Sequence, residues 1–564
     1  MNVVEAIKKL SSLPNKDRGK WLESSEDGVS FLKESSSGEE IVIYASAPHV
    51  YVHGVLAHAN LVTPPDKQDL LGSQVMVDDA WCIQRVSGGD EGHRISLEPP
   101  LSSPGCKSLA GGEKLVFVRS LPGVHKGPAP IELSQKLVHS LDLHYLRERN
   151  AYCRLDGRGD IEDVIKIQRV EANTRWDDIS VVTILPKELC SYMTLSNTVL
   201  VRRFYFTRFA PGGFDGWPSG DEKYYDAPDL FYRSKNVHGH ASYTNGCILL
   251  RSALSVSDLV DEWKEEEFDK NKKYGTFKII DRKNNRLLET SCGPEFLSNY
   301  FQDSDLPWEI SPAFFHPEVL QRYKADLEKY SMDDRSINCR GAWYLKTYDI
   351  NEAGQVHTYI GYLADLPYEE QVYWQSFNEW PKANISERAY RTDILGEWYT
   401  EYDALNSLKE KIIKLDLGPP VWWKRRGEEM LNAVRYPSTD STSEWGSEIL
   451  SLDHLIVEAF LEKPIRKIVE VNGGQTEKDW RSLKLLEVAL ISLGRTEDQA
   501  AKIVAPLREL RSLRNPAKAH GDPKGKQEAV SSAREKYGTL RSHFTALASR
   551  IDKALERITQ TLPS

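Results

Sequence analysis

The sequence predicts a multidomain α+β protein: a β-rich N-terminal region, a small aromatic-rich α+β middle domain and a C-terminal all-α helical bundle. Three observations carry that reading. Short runs rich in Val, Ile, Phe or Tyr, bounded by Gly, Pro, Ser or Asp, recur through the first 300 residues. Residues 301–420 combine dense tryptophan with a hairpin pattern. From residue 447 onward, apolar side chains recur at spacings of three and four, the period of a helix face. At 564 residues the chain has room for three or four domains of about 150 residues, and 40% hydrophobic with 28% charged residues is ordinary globular composition.

Taken in order, the strand candidates are Glu40–Ala45, His49–His53, Lys114–Arg119, Ser180–Leu185 and Thr198–Phe206. Leu133–Leu146 and the highly charged Asp258–Asn271 read as helices. A hairpin is expected from Thr276–Asp281 and Leu287–Thr290 around Arg282–Asn285, and Asp156–Asp160 reads as a turn. Glycine and proline at nearly every other position make Phe209–Asp221 a loop. His49, Tyr51 and His53 fall on one strand face near His58, and His238 and His240 alternate in the same way. Without a nearby carboxylate cluster these histidines read as structural rather than as metal ligands.

In the middle region a helix is expected over Pro317–Tyr330, then a hairpin from Ala342–Tyr348 and Val356–Tyr362. Trp343, Trp374, Trp380 and Trp398 lack the regular spacing of a base-stacking platform, so they read as the material of a small core. Residues 421–446 read as a linker, because Tyr436–Ser447 is rich in Ser and Thr.

The bundle, residues 447–564, opens with Leu452, Leu455, Ile456, Ala459 and Phe460 behind Ser451 as cap, a helix that Lys463-Pro464 should end. Thr476 would cap the next, whose stripe Trp480, Leu483, Leu486, Leu490 and Leu493 closes at Gly494. Thr496 with Gln499 forms a capping box for a third, kinked at Pro506. One last helix is expected from Val530 to Leu562, about 33 residues and some 50 Å long. A seam of that length calls for a second subunit, hence a homodimer.

Chemistry concentrates where the third helix ends. Its stripe Ile503, Leu507, Leu510 continues at spacing four onto Arg514, a guanidinium that must be paired or face a wet cleft. Pro516 should break the helix and deliver His520 nearby, so a permanent cation and a titratable imidazole lie close together. Arg can grip two phosphate oxygens, and His moves protons near neutral pH.

The string Arg514-Asn515-Pro516-Ala517-Lys518-Ala519-His520 resembles the R-x(4–6)-H motif of HEPN domains, over about 120 of the 564 residues. The resemblance implies a dimeric helical bundle acting as a metal-independent endoribonuclease. It implies Arg514, His520 and Asn515 as catalytic residues and products with 2′,3′-cyclic phosphate ends. Arg511, Lys518, Lys524 and Lys526 are the expected RNA-binding cations, and neither cofactor nor metal is expected. A toxin or anti-phage defence effector would fit, with residues 1–420 sensing a phage or regulatory protein ligand. The alternative is a non-catalytic dimeric scaffold.

A basic end on an acidic body can mark a polyanion-binding surface, or simply a solvated helix face, which charge alone favours. Against a net charge of -10 for the chain, residues 501–564 carry six Lys and seven Arg but only six Asp and Glu. Seven cysteines without a CxxC pair argue against a disulfide framework or zinc ribbon. No Walker, dinucleotide, zincin or nucleophile-elbow motif occurs. No apolar run reaches the roughly 20 residues of a membrane span, and Met1–Leu13 lacks the apolar core of a secretory signal, so a cytoplasmic protein without a membrane partner is expected.

Overall fold

The computed structural model describes residues 3–11, 27–35, 38–72, 81–88, 92–99, 107–121, 124, 129–171, 178–209, 221–237, 241–268, 272–333, 335–398, 402–427, 429–438, 440–517 and 523–563. It is 43% helical and 26% strand, with a large β-rich N-terminal region and C-terminal helices. The chain divides into two compact units, residues 1–272 and 273–564.

The first unit is built on an antiparallel sheet. Its strands are β1 (Ile41–Ala47), β2 (Val50–His58), β3 (His144–Leu146), β4 (Ala151–Leu155), β5 (Ile161–Val170), β6 (Ile179–Ile184), β7 (Thr198–Phe209), β8 (Lys223–Asp226), β9 (Leu230–Val237) and β10 (Ala241–Leu250). They lie in the order β8-β9-β10-β7-β2-β1-β6-β5-β4-β3, and Glu113–Lys114 pairs with β2. Central strands such as Ile41-Val-Ile-Tyr-Ala45 are continuously apolar because both faces are covered. Ile41, Ile43 and Ile184 pack with Leu137, Leu189 and Met193 from the short helices Gln135–Ser140 and Pro186–Ser196. Val42, Val52 and Phe206 pack on Ile7, Leu10, Phe31 and Leu32 of α1 (Val3–Ser11) and α2 (Asp27–Ser35). The helix expected over Leu133–Leu146 is thus confined to six residues, capped by Ser134 and flanked by strand. The charged helix forms as α3 (Val256–Phe268), and the Asp156–Asp160 turn joins β4 to β5.

The second unit starts with the expected hairpin, β11 (Thr276–Asp281) and β12 (Arg286–Ser291). β11 pairs with β13 (Pro312–Phe315), and Phe277, Ile279, Phe315 and Trp374 share one core, so the hairpin belongs with the middle region and not with residues 1–300. The expected helix over Pro317–Tyr330 is only a 3₁₀ turn, Pro317–Leu320, and a single α segment, Gln321–Ala325. After it come β14 (Tyr330–Met332), β15 (Ile337–Cys339) and β16 (Trp343–Leu345), a three-stranded sheet. β17 (Asp349–Ile350) and β18 (Val356–Tyr359) form the hairpin beyond it, so the expected partner of Val356–Tyr362 was displaced: Trp343–Leu345 pairs backward with β15 instead. Trp343 and Trp374 are buried, as a core reading requires, while Trp380 and Trp398 are exposed.

The helices that follow are α4 (Ala404–Leu417), α5 (Thr442–Ile456), α6 (Glu462–Val471), α7 (Ser482–Ser492), α8 (Glu497–Ala517), α9 (Pro523–Tyr537) and α10 (Leu540–Thr561). Residues 421–446 are not a linker: Trp422, Trp423 and Val434 enter the helical core, which already takes Leu405, Leu408 and Ile412 from α4. α5 starts nine residues before Ser451, with Ser441 as its cap, because the Ser/Thr-rich stretch supplied a capping side chain. Pro464 stands third in α6, where the backbone N–H it lacks has no intrahelical partner in any case. Thr476 caps nothing; α7 begins at Ser482. The Thr496–Gln499 capping box forms with both reciprocal hydrogen bonds at 3.2 Å. α8 continues through Pro506 and Pro516 to Ala517, since burial of Val504, Leu507 and Leu510 outweighs the local cost of a proline.

The expected 33-residue helix is two helices. Gly538, at φ 80°, ends α9, and the Thr539 hydroxyl accepts from Ser542 N to cap α10. All of its stripe from Leu540 to Leu562 is buried inside this one chain, against α4, α5, α8 and α9. The seam therefore no longer requires a second subunit. Among the described residues, no helix is long and apolar enough to cross a membrane.

Candidate functional site

α8 packs against α5, α7, α9 and α10, and its polar side chains are latched to the first, second and fourth of them. Toward α7, Arg508 makes two parallel hydrogen bonds to Glu487, at 3.0 and 2.7 Å, and these hold the Glu487 carboxyl down at about 2. Toward α10, Glu509 accepts from Arg550 at 2.5 and 2.8 Å. His543, which also accepts from the Trp445 indole at 3.2 Å, and then Arg550 bring the Glu509 carboxyl to about 2 against the opposing effect of burial.

Toward α5 and the 3₁₀ turn Val457–Ala459 that follows it, the last two turns of α8 meet a buried carboxylate, Asp453, and a partly buried one, Glu458. Arg511 Nη1 donates to Asp453 Oδ2 at 2.7 Å. Arg514 Nη1 donates to the same oxygen at 3.1 Å and to Glu458 Oε1 at 2.6 Å. Arg426 approaches Glu458 Oε2 at 2.8 Å, so three guanidinium groups face two carboxylates. The Asp453 side chain is fully buried, and its Oδ1 has no hydrogen-bond partner among the described residues. Burial pushes the Asp453 carboxyl up despite the two arginines. Burial acts in the same sense on Glu458, but there the hydrogen bond and charge of Arg514 prevail and hold the carboxyl below its usual value.

The structure thus brings Arg511 and Arg514 together, with Arg514 mostly buried and paired, as its place on an apolar stripe requires. Asn515 lies in the backbone of α8, and its side chain is outside the described residues, as are Lys518 and His520. Lys524 and Lys526 stand in the first turn of α9, the former exposed. Asp453, Glu458 and Arg426 were missed at the level of sequence. The signal existed for Asp453: it sits four after Ile449 and three before Ile456 on an apolar face, the same anomaly that singled out Arg514.

Asp453, His454 and Glu458 each offer one ligand atom, all within 4.8 Å of one another, the one such group among the described residues. A divalent cation there would compete with the three arginines for the same carboxylate oxygens. In the first unit, His49 occupies a turn at φ 63°, and His53 is buried with its ring stacked on Tyr51 at 6.3 Å, so that face does not assemble a metal site. His238 and His240 lie outside the described residues. Cys153, Cys247, Cys292 and Cys339 are buried and form no disulfide, the behaviour of small core residues.

Comparison of the chain with family models, with curated proteins and with solved structures found no match.

Proposed function

We propose that the C-terminal helices form a metal-independent endoribonuclease of the HEPN type, and that residues 1–420 sense a phage or regulatory protein ligand. The observation that supports it most is the arginine cluster at the end of α8. Asp453 and Glu458 hold Arg514 in one orientation, Arg511 lies beside it, and Lys524 and Lys526 open α9. Residues 515–522, which carry His520, are therefore bracketed in the chain by cations on both sides.

In this reading the RNA 2′-hydroxyl attacks the adjacent phosphorus and the 5′ oxygen leaves. One product end is a 2′,3′-cyclic phosphate and the other a 5′-hydroxyl. His520 transfers the proton, Arg514 stabilises charge on the phosphate oxygens, and Asn515 supports the cleft. Arg511, Lys518, Lys524 and Lys526 hold the RNA backbone. Two copies of the chain, each contributing its motif, form the cleft, through a surface other than the Leu540–Leu562 seam.

The scaffold reading draws on a specific observation too: among the described residues Arg514 donates two hydrogen bonds, each to a carboxylate of its own chain, which is what a structural clamp does. Incubation of the purified protein with total RNA in EDTA separates the two. Cleavage leaving 2′,3′-cyclic phosphate ends is the expected result. Activity abolished by EDTA and restored by magnesium overturns the metal-independent mechanism and turns attention to Asp453, His454 and Glu458.

A further inference from the structure

In the chain between β2 and β3, the strands Cys82–Val86 and Arg94–Glu98 form an antiparallel hairpin of their own. They pair with each other and with no other described strand. The register sets Ile83 opposite Leu97 and Arg85 opposite Ile95, so these four side chains share one face. Cys82, Gln84, Ser96 and Glu98 share the other, where the Ser96 hydroxyl donates to Glu98 at 2.7 Å.

Alternation of apolar and polar side chains is the pattern of a sheet with one face against a core. Here the apolar face meets none. Ile83 is 65% exposed, Ile95 71% and Leu97 65%, and Trp81, just before the first strand, is 63% exposed. None of the four enters the cores of the first unit. A two-stranded hairpin is only marginally stable in water unless something packs on it, so the face calls for a cover.

Size and charge both fit a copy of the same face. At those exposures the four apolar side chains present on the order of 500 Å², near the upper limit for a patch left open on a monomer. Two such faces laid together remove about 1,000 Å² from water, the lower limit of a specific interface. Arg85 lies toward the turn of the hairpin and Trp81 at its opposite end. A two-fold axis at the Ile83–Leu97 pair that reverses the strands therefore keeps the two Arg85 guanidiniums apart. It brings each of them to the Trp81 of the partner subunit, and an indole is the best ring for a cation. We propose that this hairpin is a self-association surface, covered face to face by the hairpin of a second copy of the chain. None of these residues belongs to the C-terminal helices, so the inference does not rest on the nuclease reading.

Sedimentation equilibrium of the full chain between about 1 and 100 µM tests it. The wild type is expected to associate as concentration rises. Ile83→Asp and Leu97→Asp each put two carboxylates into the joined faces and should weaken association at least tenfold. Arg85→Glu should weaken it several-fold. Ile83→Leu, which keeps the apolar surface, and Gln84→Asp, on the other face, should stay within twofold of wild type. All these positions are exposed, so unchanged melting is expected and separates lost association from lost folding. A chain that stays monomeric throughout overturns the proposal, whether or not it binds lipid vesicles. Equal loss in Gln84→Asp and Ile83→Asp overturns it too. So does a dimer that persists in both Ile83→Asp and Leu97→Asp, a result that would leave the two-copy cleft at Arg514 untouched.

Discussion

Arg514 has two duties that separate experimentally. As a clamp it holds Asp453 and Glu458, and Arg514→Ala leaves both carboxylates short of a partner, an expected loss of about 1–3 kcal/mol in the melting of the second unit. As a catalytic group it must present a planar fork to phosphate, so Arg514→Lys should cost a factor of about 10² to 10³ in cleavage rate while shifting melting far less. His520→Ala should cost about 10² to 10⁴ in rate and leave RNA affinity almost intact. Wild-type cleavage by both variants would leave only the clamp. A second residue, Glu448, contributes to pH dependence. Burial raises its carboxyl from 4.5 to about 7, so its contribution to stability is complete below pH 4.5 and disappears as pH rises through 7. Glu448→Gln should flatten that decline, on the order of 3 kcal/mol between pH 4.5 and 8, in denaturant melts at a series of pH values.

The decisive element is the break between α9 and α10. Gly538 takes a left-handed conformation with no atom within 4 Å of where a Cβ would stand, so Gly538→Ala should cost about 1 kcal/mol through backbone strain alone, without a clash. Thr539→Ala removes the cap on Ser542 N and should cost a further ~1 kcal/mol. Both are read as shifts in the denaturation midpoint; a rise in helix content for Gly538→Ala would mean that the two helices fuse. The pair Gly538-Thr539 was legible as a stop and a start, yet the unbroken apolar period across it concealed the boundary. Periodicity reports which face is buried, and it survives a sharp turn when both helices bury the same face in one core.

At the scale of the whole molecule, the buried seam changes what a partner would do. Phe544 is fully enclosed by its own chain, so Phe544→Ala should lower stability by about 3–5 kcal/mol and leave the mass from light scattering unchanged. A change of mass would put the seam between subunits after all. Binding of RNA by the basic residues from 501 onward should weaken steeply between 50 and 200 mM salt as counterions are released, and affinity indifferent to salt would point to another kind of partner.

Local pattern alone was enough for the mixed fold class, for the hairpin at Thr276–Ser291, for the Thr496 capping box and for the anomaly of Arg514, because each depends on neighbours a few residues apart. Which strand Trp343 joins, where the compact units divide, and that Trp422 and Trp423 sit in a core rather than a linker were decided by contacts between residues far apart in the chain. The same holds for the site. Sequence placed a guanidinium on a buried face and demanded a partner for it. Only the packing of α5 and the 3₁₀ turn after it (Val457–Ala459) near α8 supplied Asp453 and Glu458, because a charge removed from water is satisfied by whatever the tertiary structure brings within hydrogen-bond reach.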